Sequence, residues 1–189
     1  MAWLVFFDQA DLESMIVSSP ALDRFLDEWA ASSKLHKYGG SQTVRTRLIE
    51  ALRPLAAVRA ENSRRQLGIS FDELDVSDVT EKDGTLRVVS LAARLASAST
   101  VDRSVIEAAM KAAVPQCPHT GLPLTRGRDA MALIGVLLRT QIGTLNKHQT
   151  QAGFVERSMR LALAPADFSG TPFAARLDAA LAAVAVKPA

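Results

Sequence analysis

Apolar residues recur along this chain at helical spacing, and one stretch, Asp129 to Arg139 (DAMALIGVLLR), departs from the amphipathic rule. From Ala130 to Leu138 no side chain is polar, and a charge stands at either end. A helix without a polar face has to be enclosed by other elements, so this segment reads as the central helix. It is far shorter than the roughly 20 residues that a membrane span needs.

The flanking segments read as amphipathic helices that wrap it. Ser19-Pro20 ahead of ALDRFLDEWAAS supplies a capping serine, proline at the first helical position and an early acid, with Leu22, Phe25, Leu26 and Trp29 on one face. Gly39-Gly40 stops whatever follows Ser32. Ser41 is expected to cap SQTVRTRLIEALRPL, whose buried stripe is Val44, Leu48, Leu52 and Leu55; Pro54 inside it predicts a kink or a restart. A third piece runs through Val58 and ends near Asn62 to Gly68. Trp3 to Phe7 fits a strand or a helix start, because five residues do not decide between them.

Residues 69–85 are the least helical part. Asp83-Gly84 marks a turn, and a hairpin near 76–90 stands as the alternative to the favoured reading, an acidic loop followed by a helix from about Leu86 to Ala96. Thr100 is expected to cap a helix with Val105, Ile106, Ala109 and Met110 inward, which Pro115 ends. After a Pro- and Gly-rich loop at 115–128, Asp129 is expected to cap the central helix. Met131, Leu138, Leu145, Ala152 and Met159 then recur every seven residues. That spacing predicts one long helix or two collinear ones reaching Leu163, with Gly143, Asn146–Gln151 and Gly153 as breaks and Pro165 as the end. Thr171-Pro172 opens a last helix with Phe173, Leu177, Leu181 and Val184 inward.

The expectation is a mainly α, single-domain bundle over 1–189 of six to eight helices around the buried one. It has a sub-division into a helix-turn-helix-like part at 1–68 and a helical core at 86–189. Composition agrees: 48% hydrophobic, 22% charged and only 5% aromatic residues suit a globular helical chain better than a large sheet. The single cysteine, Cys117, excludes an internal disulfide and fits a reducing compartment. The opening MAWLVFFDQAD lacks a positive leader and carries Asp8 and Asp11, so the chain reads as cytoplasmic.

The net charge of +2 hides a segregation. Residues 1–33 carry six acids against Arg24 alone, residues 34–70 carry eight Lys/Arg against Glu50 and Glu61, and residues 71–85 carry six acids against Lys82. Opposite blocks of this length usually pair with one another inside the fold. A basic face for nucleic acid is the sharper reading.

Helix PALDRFLDEWAAS, a glycine turn and SQTVRTRLIEAL together resemble a helix-turn-helix module, through Ser41, Gln42, Thr43, Val44, Arg45, Arg47 and Leu48. The resemblance implies DNA as the partner, with Gln42, Arg45 and Arg47 near base edges, Ser41, Thr43 and Thr46 on phosphates, and Lys34, Lys37, Arg53, Arg64 and Arg65 as further backbone contacts. The connection from Ala31 to Gly40 is longer than the usual turn, and Arg45 and Arg59 project into the apolar arc. The alternative partner is a second copy or another protein, met through 129–163 and 172–186. Arg126 and Arg128, just before the central helix, form a weak anion-binding candidate. Cys117 and His119 with His148 or His36 lack any zinc-site spacing, so no metal is expected, and neither are a cofactor, a membrane or a small-molecule substrate. Catalytic constellations are absent, which leans the reading away from an enzyme.

Overall fold

The computed structural model describes residues 7–117 and 123–185. It is mainly helical, with nine α-helices and no strands among the described residues. In chain order they are α1 (Leu12–Ser18), α2 (Ala21–Trp29), α3 (Ser32–Tyr38), α4 (Gly40–Arg65), α5 (Val88–Ser97), α6 (Arg103–Ala109), α7 (Gly127–Thr140), α8 (Ala152–Ala162) and α9 (Pro172–Ala185). No described helix is long and apolar enough to cross a membrane.

The all-apolar stretch is enclosed. In α7 every residue from Asp129 to Leu138 is buried, with Met131, Ile134 and Leu138 wholly inaccessible. Helices α1, α4 and α8 and the short 3₁₀ turns at Val76–Val79 and His148–Thr150 pack around it. One connected cluster of buried apolar side chains draws on every helix from α1 to α8, including Ile16, Phe25, Leu35, Leu52, Leu91, Ile106, Leu133 and Met159. Burial of each large aliphatic side chain contributes about 1.5–3 kcal/mol, so this cluster outweighs local propensity in deciding the fold.

Several elements differ from the sequence reading. Two helices went unforeseen, α1 and α3, each of seven residues. Asp11 caps α1 by accepting from the Ser14 amide at 2.8 Å, and Gly39, at φ 105°, ends α3 in the left-handed conformation glycine favours. Helix α4 starts at Gly40, so Ser41 lies in its first turn rather than at its cap. It also runs unbroken through Pro54, because Leu52, Leu55 and Val58 are buried on both sides of the missing amide.

The hairpin near 76–90 reduces to a single antiparallel bridge, Thr80 to Leu86, closed by Glu81 N donating to Thr85 O at 2.8 Å. The 129–163 segment is not collinear. Helices α7 and α8 lie packed against each other, and that packing shares the seven-residue stripe internally. Helix α9 begins at Pro172 as expected, with Thr171 Oγ accepting from the Ala174 amide at 3.1 Å. Its Leu177 and Leu181 are exposed rather than inward, while the Val184 side chain lies outside the described residues. Residues Trp3 to Phe6, His119 and Val186 also lie outside them.

Candidate functional site

Helix α4 is buried along Val44, Leu48, Leu52 and Leu55, which turns Gln42, Thr46, Arg47, Glu50 and Arg53 to solvent. Helix α3 precedes it after the single residue Gly39, so the expected glycine turn is itself mostly helix. The α2 to α4 arrangement is therefore three consecutive helices rather than two joined by a long turn.

Of the residues singled out from sequence, some stay available and others do not. The Thr43 and Thr46 hydroxyls donate to the carbonyls of Gly39 and Gln42, at 2.7 and 3.1 Å. Arg47 is exposed and lies over the Tyr38 ring, 4.3 Å from its centroid, with no ion pair among the described residues. Arg53 pairs with Glu50 at 3.0 Å, and Arg64 and Arg65 pair with Glu61 at 2.8 and 3.8 Å. The Arg64 hydrogen bond is the main reason the Glu61 carboxyl is held below its usual range.

Arg45 is the correction. Its guanidinium folds inward and donates to the carbonyls of Val17 and Ser19, at 3.2 and 3.1 Å, and pairs with Asp23 at 3.3 Å. Only 15% of the side chain is exposed. An arginine that ties α4 to α1 and α2 is not presented to a base edge. Lys34 is likewise engaged, donating to Gly143 O at 2.9 Å, whereas Lys37 is exposed.

A second charged cluster forms at the start of α7. Asp129 does not cap that helix. Asp11 does, accepting from the Gly127 amide at 3.1 Å while it also caps α1. Asp129 is instead buried in the first turn and pairs with Arg59 of α4 at 3.1 Å. Burial pushes the Asp129 carboxyl above its ordinary range, against the pull of Arg59 and Arg126. Burial likewise lowers Arg59, whose Nε has no hydrogen-bond partner and whose guanidinium stacks on Phe71 at 4.3 Å. Arg126 and Arg128 are exposed and line a cavity of about 210 Å³ with Arg59, but Asp72, Glu73, Asp75 and Asp129 line it too. Its acids balance its arginines, which weakens it as an anion site.

A larger cavity, about 440 Å³, opens between α4 and the 83–86 turn, with Leu133 and Leu137 of α7 as its floor. Tyr38 lines it, and its hydroxyl is buried without a partner. Sequence reasoning missed Tyr38; its only signal was an aromatic residue directly before Gly39-Gly40.

The Cys117 thiol is buried and donates to the Asp8 carbonyl, and His148 and His36 are exposed. Among the described residues no three His, Cys, Asp or Glu cluster so as to hold a metal ion. In comparisons with protein-family models, curated proteins and solved structures, nothing matches this chain.

Proposed function

We propose that this is a small cytoplasmic DNA-binding protein that sets the outward side of α4 against duplex phosphates. The supporting observation is that Gln42, Thr46, Arg47 and Arg53 are exposed on one helix, beside the exposed Lys37 of α3. The apolar stripe of that helix is wholly occupied by the core. The Arg53–Glu50 pair does not compete strongly, since exposed ion pairs are worth about 0–1 kcal/mol and exchange readily for a phosphate. Lys37, Arg47 and Arg53 then act as phosphate contacts, with Gln42 and Thr46 between them.

An electrophoretic shift on mixed-sequence duplex tests the reading. Three phosphate contacts predict that log K falls with log salt at a slope of about −2.7. Arg47→Ala/Arg53→Ala should flatten that slope by about two-thirds. No retardation by the wild-type protein at low salt, or an unchanged slope in the double variant, overturns the proposal.

A second reading, self-association through α9, is favoured by Leu177 and Leu181, which are 38% and 59% exposed. The other part of that surface, the Met131–Met159 stripe, is not available, because Met131, Leu138 and Met159 are buried within the chain. Sedimentation velocity should then show a dimer that Leu177→Ser/Leu181→Ser dissociates. A monomer at every concentration removes the reading.

A further inference from the structure

Beyond the residues that the DNA reading uses, the later turns of α4 wall a groove of about 700 Å³, inside the roughly 300–1,000 Å³ range of small-molecule sites. At about 100° per residue, Ala56, Ala60 and Ser63 share one face of that helix, with Arg59 and Arg64 along its two edges. Pro115, Leu124 and Arg126 form the opposite wall. The lining is open rather than sealed. Leu124 is 37% exposed, Ser63, Arg64, Pro115 and Arg126 are exposed, and Ala60 is half-buried.

Hydrogen bonds fix the second wall. The Leu124 amide donates to the Pro115 carbonyl at 2.8 Å. On one side of Arg126 the Thr125 carbonyl accepts from the Ser14 hydroxyl at 2.8 Å, and on the other the Gly127 amide donates to Asp11 at 3.1 Å. Charges around the groove leave a positive surplus: with their partners included, Arg59, Arg64, Arg65 and Arg126 stand against Asp129, Glu61 and Asp11. Asp11 is already occupied by the Ser14 and Gly127 donors. Arg126 makes no ion pair among the described residues, and its charge adds to the burial that lowers Arg59. The Ser63 hydroxyl likewise makes no hydrogen bond among the described residues.

We infer that this groove binds a small aromatic phosphate monoester, its phosphate between Arg64 and Arg126 and its ring between Ala60 on one wall and Pro115 and Leu124 on the other. Arginine holds a phosphate through two parallel N–H···O bonds, and guanidinia on opposite walls can share its three terminal oxygens, where a carboxylate offers only two. Arg64 gives up Glu61 at little cost, because its side chain is 69% exposed and such pairs are worth about 0–1 kcal/mol. A neutral ring keeps the apolar contacts and loses both arginines. Inorganic phosphate keeps the arginines and loses the ring. This inference does not rest on the DNA reading, whose phosphate contacts Lys37, Arg47 and Arg53 lie outside the groove.

Isothermal titration of the full chain with 1-naphthyl phosphate, 1-naphthol and inorganic phosphate tests it. Naphthyl phosphate should bind at least about tenfold more tightly than either of the others, as charge-assisted bonds added to ring contact predict. Arg64→Gln and Arg126→Gln should each weaken it severalfold and leave naphthol binding in place, whereas Arg53→Ala should change nothing. Ala60→Leu keeps a good helix former in α4, narrows the groove and should abolish binding of naphthyl phosphate. Four outcomes overturn the inference: no binding of naphthyl phosphate at millimolar concentration, equal affinity for either control, unchanged affinity in both glutamine variants, or unchanged affinity in a folded Ala60→Leu protein. If Ala60→Leu fails to fold, the glutamine variants, both at exposed positions, decide alone. Loss of DNA retardation in Arg64→Gln/Arg126→Gln, with no naphthyl phosphate bound by the wild type, would give the groove to nucleic acid and overturn it as well.

Discussion

Asp11 holds two helices that lie far apart in sequence. Its carboxylate accepts from the Ser14 amide and hydroxyl at the start of α1 and from the Gly127 amide at the start of α7. Losing one capping side chain costs about 1 kcal/mol, and this one serves two helix starts, so Asp11→Ala should lower unfolding stability by about 2 kcal/mol in urea titration. Arg59 and Asp129 make a sharper case, because their charges are partly out of water. Arg59→Ala leaves the buried Asp129 carboxylate without its partner and should cost about 3 kcal/mol at neutral pH. The sign of the pH dependence follows from burial, which already raises the Asp129 pKa above its unfolded value of 3.8. A carboxyl raised in this way adds stability below its unfolded pKa and loses it as pH rises through the folded one. Without Arg59 that rise grows, so the deficit of Arg59→Ala should be smaller near pH 4 than at pH 7, read from urea midpoints across that range. A deficit independent of pH would mean that Asp129 is not charged and alone in the variant.

Among the elements, α7 carries the fold and was the most legible from sequence, since nine consecutive residues without a polar side chain admit no exposed face. Gly135 within it has a structural reason that periodicity could not reveal. A Cβ there would sit 2.0 Å from the Thr150 carbonyl oxygen, so the 148–150 turn lies directly on the helix backbone. Gly135→Ala should force the two apart and cost about 1–3 kcal/mol, seen as a lowered thermal midpoint. Helices α1 and α3 escaped notice for a different reason. Each has seven residues, and α3 buries only Leu35, so neither shows a repeating stripe; Asp11 directly before LESMIV was the one local signal for α1. At α9 the periodicity was read correctly and its meaning was not. Phe173 packs against Phe7 and Phe168, and the Phe173 amide donates to Asp8, which holds the first turn, while the later leucines of the same stripe remain exposed. Apolar spacing identifies a face and says nothing of what covers it.

Across the whole molecule the charge blocks mostly pair elsewhere than with one another: among the described residues Asp23 with Arg45 is the one ion pair that joins two of them, and the basic block pairs largely within itself, through Glu50 and Glu61. The first acidic block meets arginines from three regions: Asp23 pairs with Arg45, Glu13 with Arg160 and Asp8 with Arg176. Those pairings join residues up to 168 positions apart, which no local pattern encodes. They also decide which arginines of the candidate site remain outside. Arg45 is drawn in, whereas Arg47 and Arg53 stay on the surface, so Arg45→Ala should lower stability while Arg47→Ala leaves it within about 0.5 kcal/mol. The two substitutions should therefore separate folding from binding when melting curves and DNA shifts are measured side by side. The most direct test of the account is hydrogen exchange on the full chain with and without duplex DNA at low salt. Amides from Met131 to Leu138 should exchange only through global unfolding in both states, and new protection with DNA should be confined to residues 36–53. Early exchange in α7, or DNA protection that leaves α4 untouched, would contradict it.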